Sequence, residues 1–268
     1  MSKIEINHLT VDYTEKKKSF TALKDVSFSI EEGEFVSVIG SSGCGKSTLL
    51  SILEGINTPT DGEILINGEA IKGTGTDRGV VFQHYSLFPW MTARKNVAFG
   101  IKQVNHSASR SERYRIADEF LDKVGLEQFK NKYPSQLSGG MQQRVAIARA
   151  LAMDTDILLM DEPFGAIDAK NRTILQELLL ELWEGATPRK TVVFVTHDID
   201  EAILLSDKIV MMTANPGRVY RELKVPFARP RNRSELVQTG EYNQFRNNLL
   251  SLFYSDIADK IGGEEVVL

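Results

Sequence analysis

The sequence has few of the features that mark secreted, membrane-spanning or nucleic-acid-binding proteins. One cysteine among 268 residues cannot form an internal disulfide, which excludes a disulfide-stapled secreted module. No run of about 18 apolar residues occurs, so no segment is predicted to cross a bilayer as a helix. The 32 basic and 36 acidic side chains give a net charge of −4, which offers no support for a nucleic-acid partner. We therefore expect a folded protein of a reducing compartment, and no secretory leader.

The spacing of apolar residues predicts an α/β fold. Alternation in the first 30 residues predicts an antiparallel β-element. Short apolar runs separated by helical segments predict a parallel sheet, with strands at residues 35–39, 157–160, 191–195 and 208–213. The stretch in between lacks such runs and is predicted to be a mostly helical insertion.

These patterns predict four regions along the chain. Residues 1–88 form the first part of the core with its β-element, residues 89–152 the helical subdomain, and residues 153–230 the second part of the core. Residues 231–268 form a C-terminal linker and an amphipathic helix, and the basic, proline-bearing stretch at 227–233 is typical of the linker. Apolar side chains at helical spacing over residues 242–261 then predict an amphipathic helix, which either docks on its own domain or contacts another subunit.

A glycine-rich loop between a predicted strand and a helix fits the pattern G-x-x-x-x-G-K-[ST]. Its glycines allow the backbone to wrap around phosphate oxygens, so that successive N–H groups and the helix N-terminus bind the anion. Lys46 is expected to neutralise the β- and γ-phosphates of ATP, and the Ser47 hydroxyl to bind Mg²⁺. The predicted nucleotide-binding residues of this loop are Gly40, Ser41, Ser42, Gly43, Cys44, Gly45, Lys46, Ser47 and Thr48.

Cys44 lies inside this loop, next to a predicted helix N-terminus. Two interpretations are open: a small residue that fits a tight loop, or a thiol whose pKa is lowered by the helix end so that it becomes reactive.

Two adjacent carboxylates, Asp161 and Glu162, end the apolar run at 157–160. Ligands of parallel α/β sheets bind beyond the carboxyl ends of the strands. We therefore expect Asp161 to belong to the Mg²⁺ shell and Glu162 to orient or deprotonate a water that attacks the γ-phosphate.

Further motifs resemble those of the ATP-binding cassette (ABC) ATPases. Residues 137–144, Leu-Ser-Gly-Gly-Met-Gln-Gln-Arg, resemble the signature sequence of that family. Gln83 is similar in context to the Q-loop glutamine, and His197 to the switch histidine. Residues 165–168 resemble the D-loop, with Ile167 where leucine is usual. The resemblance implies a P-loop NTPase (RecA-like) parallel-sheet core with an N-terminal antiparallel β-element and a helical subdomain, which is the ABC ATPase fold.

The resemblance also implies how the site works. Two chains would form a head-to-tail dimer, in which each ATP lies between one phosphate loop and the signature residues Ser138, Gly139 and Gly140 of the other chain. The partner is a second copy or a related ATPase subunit. Roles implied for single residues are contact with the γ-phosphate by His197, contact with Mg²⁺ or water by Gln83, shaping of the partner's site by Asp168, and stacking on adenine by Tyr13. Phe20 is an alternative for the stacking role, and core packing is the other interpretation of both rings.

Within the family, the sequence around residues 83–100 resembles bacterial importers. Short stretches at 88–90, 163–166 and 215–219 are most similar to the group that imports nitrate, sulfonate, taurine or bicarbonate. The family implies docking of transmembrane permease subunits near the aromatic segment Tyr85, Leu87, Phe88, Trp90 and Met91, although these side chains are also suited to fill the junction between core and helical subdomain. A periplasmic or lipid-anchored solute-binding protein would act indirectly, and the chain is expected at the cytoplasmic face of the cell membrane.

An ABC ATPase of another importer class, which serves another small solute, is the alternative within the family. Two other classes fit the motifs less well. A non-transport ABC protein acting on ribosomes or DNA would carry two cassettes or long coiled coils, and neither is present in the sequence. A module that binds ATP without hydrolysing it would not need Glu162 and His197.

Overall fold

The computed structural model describes residues 2–15, 18–165 and 167–261. Within these ranges the strands are β1 (Ser2–Glu15), β2 (Lys18–Glu31), β3 (Phe35–Gly40), β4 (Asp61–Ile66), β5 (Glu69–Ala70), β6 (Arg78–Val81), β7 (Ile157–Asp161), β8 (Thr191–Val195), β9 (Lys208–Thr213) and β10 (Arg218–Lys224). The helices are α1 (Lys46–Leu53), α2 (Ala93–Val104), α3 (Arg110–Lys123), α4 (Gly139–Ala152), α5 (Ala169–Glu184), α6 (Ile199–Leu205), α7 (Arg233–Leu236) and α8 (Gly240–Ile261).

The predicted parallel sheet is present, in the order β10-β9-β3-β8-β7-β6. β9, β3, β8, β7 and β6 run parallel, and β10 pairs antiparallel with β9 at one edge. Val36 and Val38 pack in one hydrophobic cluster while Phe35 packs in another, because alternate residues of a strand face opposite sides of the sheet. Both faces are covered, as expected for a parallel sheet of nearly continuous apolar strands.

The predicted antiparallel β-element is a second sheet in the order β2-β1-β4-β5. Ile4 and Ile6 of β1 and Ile64 of β4 share a hydrophobic cluster with Leu49 and Leu53 of α1. The sheet and α1 therefore cover the same face of the parallel sheet, next to the strand that leads into the phosphate loop.

The helical insertion contains α2, α3 and α4. Thr92, Ser109 and Ser138 cap the N-termini of these three helices, each accepting a hydrogen bond from a backbone N–H three residues on. Buried side chains such as Val97, Leu121 and Val145 join the hydrophobic cluster on the other face of the sheet. Packing of the subdomain against the sheet thus fixes the position at which α4 begins.

The segment after β10 returns to the core, which the prediction of a linker at 227–233 did not anticipate. Arg229 binds Asp207 and Glu184, and its guanidinium lies 4.4 Å from the ring centroid of Trp183. The following helix α8 buries Tyr242 and Leu249 among side chains that include those of α6, in agreement with the prediction that it docks on its own domain.

Parts of two predicted features lie outside the described residues. These are Ala166 of the 165–168 motif and the side chains of the helix predicted at 242–261 from residue 255 onward. Within the described ranges, no helix combines the length and apolar character that a bilayer crossing requires.

Candidate active site

The predicted site residues meet at the carboxyl ends of four adjacent parallel strands. Gly40 ends β3 and Asp161 ends β7, while Gln83 follows β6 and His197 follows β8 by two residues each. Because parallel strands end at one edge of a sheet, residues far apart in sequence are brought together there.

The loop between β3 and α1 has the backbone of a phosphate cradle. Gly43 and Gly45 have φ angles of 81° and 89°, in the left-handed region that favours glycine. A Cβ atom at Gly40 would lie 2.5 Å from the carbonyl oxygen of Met212, so a side chain cannot be placed there without a shift. Helix α1 begins at Lys46, and its free N–H groups point toward the loop.

Lys46 folds over its own loop. Its Nζ donates to the carbonyl oxygens of Gly40 at 2.7 Å and Ser41 at 3.3 Å. The ammonium group is thus already held where phosphate oxygens would bind, and charged phosphate oxygens are stronger acceptors than carbonyls.

Cys44 is a residue of this loop, and its side chain is fully buried, with Sγ 3.6 Å from Lys46 Nζ. Burial raises the pKa of the thiol, and the nearby ammonium only partly opposes that effect. The structure therefore favours the small packing residue over the reactive thiol.

Oxygen donors gather between the loop and the end of β7. Ser47 Oγ donates to Asp161 Oδ2 at 3.3 Å. Burial raises the pKa of the Asp161 carboxyl, the charge of Glu162 raises it further, and the hydrogen bond from Ser47 opposes both. One or two carboxylates beside a hydroxyl and the substrate phosphates are the ligands that Mg²⁺ usually takes. In the part of the chain that the structure describes, no group of three or more His, Cys, Asp or Glu side chains is arranged around a metal position.

Glu162 is the meeting point of the predicted catalytic residues. Its Oε2 lies 3.2 Å from Nδ1 of His197 and 3.5 Å from Nε2 of Gln83. Its backbone has φ of 42°, which is rare outside glycine, and its N–H donates to the carbonyl of Val195 at 3.0 Å. This anchored, strained turn at the end of β7 aims the carboxylate across the sheet edge.

The signature residues form a second glycine-rich helix start. Ser138 caps α4 by accepting from the N–H of Met141 at 3.3 Å, and Gly139 and Gly140 form its first turn. A Cβ atom at Gly139 would lie 2.6 Å from the hydroxyl of Tyr85, so this turn fits closely against the segment after β6. Among the described residues, no hydrogen bond or ion pair joins residues 138–140 to the phosphate loop of the same chain.

Asp168 is an exposed cap at the start of α5. It accepts from the N–H of Asn171 at 3.1 Å and from its side-chain amide at 2.7 Å, and the latter bond is the main cause of a lowered pKa. Arg172 on the same helix binds the carbonyl of Ile167 and forms an ion pair of 3.8 Å with Asp198. The loop before α5 is thereby tied to the residue that follows His197.

The two candidates for adenine stacking are direct neighbours. Tyr13 and Phe20 are cross-strand partners at the tip of the β1–β2 hairpin. They are 43% and 53% exposed, so neither is a core residue. Both rings stand on one face of the hairpin, because paired residues project to the same side. Which of them would stack on adenine is not distinguished by this geometry, and Tyr13 stays a prediction.

Comparison with known proteins identifies the family. The family model described as "ABC transporter" matches residues 23–165. A nitrate import ATP-binding protein of Synechococcus elongatus is 48% identical over 240 residues, which cover 89% of this chain and 87% of that protein. A bicarbonate transport ATP-binding protein of Synechocystis is 44% identical over 256 residues, with 95% and 90% coverage. A dimeric ATP-binding cassette in a post-hydrolysis state with ADP and Pi superimposes with a TM-score of 0.77 at 39% identity, covering 84% of this chain and all of that one.

The chain belongs to the ABC transporter family. The predicted family resemblance and fold class are confirmed, and the chain is an ATPase of the ABC type.

The aromatic segment of this ABC ATPase is partly buried and partly exposed. Leu87 packs against the core, and Phe88 packs against Phe99 at a centroid distance of 4.7 Å. The Asn96 side chain, fully buried on α2, binds the backbone of the segment at several points. Trp90 is 68% exposed, so it is the ring of this segment that is free to meet a partner.

Sequence analysis did not identify several polar residues around the site. Thr196 and Glu201 hydrogen-bond each other beside His197, and Gln176 of α5 binds Glu201. Each has a polar or charged neighbour in the sequence, as exposed residues commonly do, and only their burial in the fold shows that they act as a group.

Proposed function

We propose that this chain is the ATP-hydrolysing subunit of an ABC importer for a small anion. Nitrate and bicarbonate are the favoured cargoes, with sulfonate and taurine in the same chemical class. The proposal rests on the relatives named as nitrate and bicarbonate transport ATP-binding proteins, which match over almost their whole length. The assembled phosphate loop, carboxylate pair and histidine support turnover rather than mere binding of ATP.

In the proposed reaction Lys46 moves from its loop carbonyls onto the β- and γ-phosphates, and the backbone N–H groups of residues 40–48 bind the same oxygens. Ser47, Asp161 and Gln83 would hold Mg²⁺, which neutralises the phosphate charge when it is bound. Glu162 orients or deprotonates the attacking water, and His197 contacts the γ-phosphate.

The second half of each site would come from a partner chain. Residues 138–140 present free N–H groups at the start of α4, a further anion-binding position. In a head-to-tail dimer these groups would bind the γ-phosphate from the side opposite Lys46, and Asp168 would border the partner's site. The dimeric cassette with ADP and Pi supports this arrangement. The partner would be a second copy or a related ATPase subunit.

The same proposal puts the protein at the cytoplasmic face of the membrane. Permease subunits would dock on the aromatic segment around Trp90, and a solute-binding protein outside would select the cargo. Docking next to Gln83 would connect the permease to the nucleotide, because Gln83 binds Glu162.

Uptake in cells tests the cargo. A strain lacking this gene is complemented with the wild-type chain or with Lys46→Ala, and uptake of labelled nitrate, bicarbonate, taurine and an alkanesulfonate is measured. We expect the wild-type chain, and not the variant, to restore uptake of one of them. Unchanged uptake of all four in the deletion strain would contradict the small-anion proposal.

Trp90→Glu should uncouple transport from ATP hydrolysis. Loss of a central aromatic anchor costs ~2 kcal/mol or more of binding, so the affinity for the permease should fall about 30-fold. ATP binding should be unchanged, because Trp90 packs on Phe88 and is not one of the residues proposed to bind the nucleotide. The measurements are co-purification with the permease and ATP affinity. Tyr254→Glu, at an exposed aromatic of α8, is the matched control. Normal assembly of the Trp90 variant would contradict docking on this segment.

A further inference from the structure

A chain of hydrogen bonds runs from the segment after β10 to the residue before His197. Arg233 donates through Nη1 to Oε1 of Gln176 on α5. Gln176 Nε2 donates to Glu201 Oε1 at 2.9 Å. Thr196 Oγ1 donates to the other carboxylate oxygen of Glu201 at 2.6 Å. Gln176, Glu201 and Thr196 are each at most 5% exposed, so these three residues are shielded from water, while Arg233 is partly exposed.

The end of this chain controls the backbone around His197. Thr196 Oγ1 also accepts from the N–H of Asp198 at 3.0 Å, so the two neighbours of His197 are tied together. Asp198 in turn caps α6 by accepting from the N–H groups of Asp200 and Glu201. The His197 side chain is 66% exposed and contacts the carboxylate of Glu162. The direction of the imidazole ring therefore depends on the backbone at Thr196 and Asp198 rather than on packing.

Arg233 and Glu201 together hold the Gln176 amide in one orientation. An arginine has only donors, so it requires the carbonyl oxygen of the amide. That choice leaves the NH₂ group facing the Glu201 carboxylate, which has only acceptors when it is ionised. Without Arg233, the buried Oε1 of Gln176 loses the donor that the arginine supplies, which is costly for a shielded polar atom. The Gln176 side chain would then shift toward another donor, and its bond to Glu201, together with the Glu201–Thr196 bond, would no longer be held in one geometry.

Other residues of the same segment hold α6 without reaching this chain. Arg231 donates to the carbonyl oxygens of Ile203, Leu204 and Ser206 at the end of α6. Tyr242 donates to Asp200 at 2.7 Å. Arg231 thus holds the end of α6 and Tyr242 holds the side chain of Asp200 in its first turn, whereas Arg233 binds Gln176 and, through it, Glu201.

We propose that Arg233 is a positioning residue for His197, acting through Gln176, Glu201 and Thr196. The inference deepens the proposed function, because it rests on His197 contacting the γ-phosphate. It assigns to the segment after the last strand a part in hydrolysis, not only in folding.

Arg233→Ala should lower kcat about tenfold, because a small displacement of a reacting group is costly while nucleotide binding is not affected. KM and the dissociation constant for a fluorescent ATP analogue should stay within twofold, roughly the error of such comparisons. Arg233→Lys should restore most of kcat, because the ammonium still donates to Oε1 of Gln176. Arg221→Ala, at an exposed arginine of β10, is the control for loss of a charge.

The His197→Ala background separates this inference from the proposed function. If His197→Ala alone keeps wild-type kcat, the role proposed for His197 is wrong. If His197→Ala is impaired, Arg233→Ala should cause no further loss in that background, because the two changes act on one step. A wild-type kcat for Arg233→Ala would overturn the positioning role. An equal loss of kcat on Arg233→Ala with His197 present and absent would also overturn it. Both results would leave the proposed function standing. A loss of ATP affinity parallel to kcat would likewise show a merely structural effect.

Discussion

Replacing Glu162 by glutamine is expected to stop ATP turnover while leaving ATP binding intact. The amide keeps the size of the carboxylate and can still bind Gln83 or His197, which lie within 3.5 Å. It cannot accept a proton from water, and loss of a general base typically costs about 100-fold or more in rate. The phosphate loop is not touched by this change, so the affinity for ATP should be close to that of the wild type.

The same variant should accumulate as an ATP-bound dimer. If ATP joins two chains and hydrolysis separates them, a chain that cannot hydrolyse stays joined. Phosphate release gives the rate, and size-exclusion chromatography with light scattering gives the mass in ATP and Mg²⁺. Glu63→Gln, the same change at an exposed position of β4, should release phosphate at the wild-type rate and remain mostly monomeric.

Two results would contradict this prediction in different ways. Phosphate release near the wild-type rate by Glu162→Gln would show that another group activates the water. If Glu162→Gln releases phosphate slowly but stays monomeric with ATP bound, the catalytic role of Glu162 would stand. The proposal that two chains dimerise around ATP would then lose its support.

The part of the site that could be predicted is the part with local sequence patterns. The phosphate loop is one continuous stretch, in which Gly43 and Gly45 take the left-handed backbone that their residue type allows. Asp161 and Glu162 follow an apolar run of four residues, which is typical of a buried strand, and a strand end is where such carboxylates bind ligands. Local patterns thus predicted both which residues meet and at which edge of the sheet.

Contacts between distant parts of the chain could not be predicted in this way. Arg233 and Gln176 are separated by 57 positions, and Gln176 and Glu201 by 25. A basic stretch with prolines has the composition of a linker, and only the fold brings the carbonyls at the end of α6 within reach of its arginines. Burial of the polar groups, which gives them their effect, is a property of the packed core and not of any sequence window.

The tip of the β1–β2 hairpin shows a second limit of sequence patterns. The family resemblance implies stacking by Tyr13, with Phe20 as the alternative, and the strand register places the two rings side by side. A pattern that marks one strand does not tell which partner in a cross-strand pair meets a ligand, because both face the same way.

Mixing two inactive variants should restore ATP hydrolysis if each site is built from two chains. Lys46→Ala removes the ammonium that lies in the phosphate loop, and Ser138→Arg puts a large cation at the start of α4, where phosphate is expected from the partner. Each variant alone forms dimers in which both sites carry a defect. Each should therefore lose about 100-fold or more of the wild-type rate, as expected when a main electrostatic contact to the phosphates is removed.

A mixed dimer contains one undamaged site. The chain with Ser138→Arg supplies an intact phosphate loop, and the chain with Lys46→Ala supplies an intact signature helix to the same ATP. The other site of that dimer carries both defects. Phosphate release measured against the mixing ratio should therefore rise from almost zero to a maximum near equal amounts. No rise is expected when a third variant, carrying both changes in one chain, is mixed with either.

The outcome depends on geometry alone, since the two changes lie on separate elements of one chain. The described residues contain no hydrogen bond or ion pair between the 138–140 turn and the loop that holds Lys46, so a defect in one has no direct route to the other within a chain. If each ATP were hydrolysed inside a single chain, mixing would give only the sum of two inactive samples. The two variants must each bind ATP or fold with wild-type stability for this test. If phosphate release then stays near zero at every mixing ratio, the result would contradict a site shared by two chains.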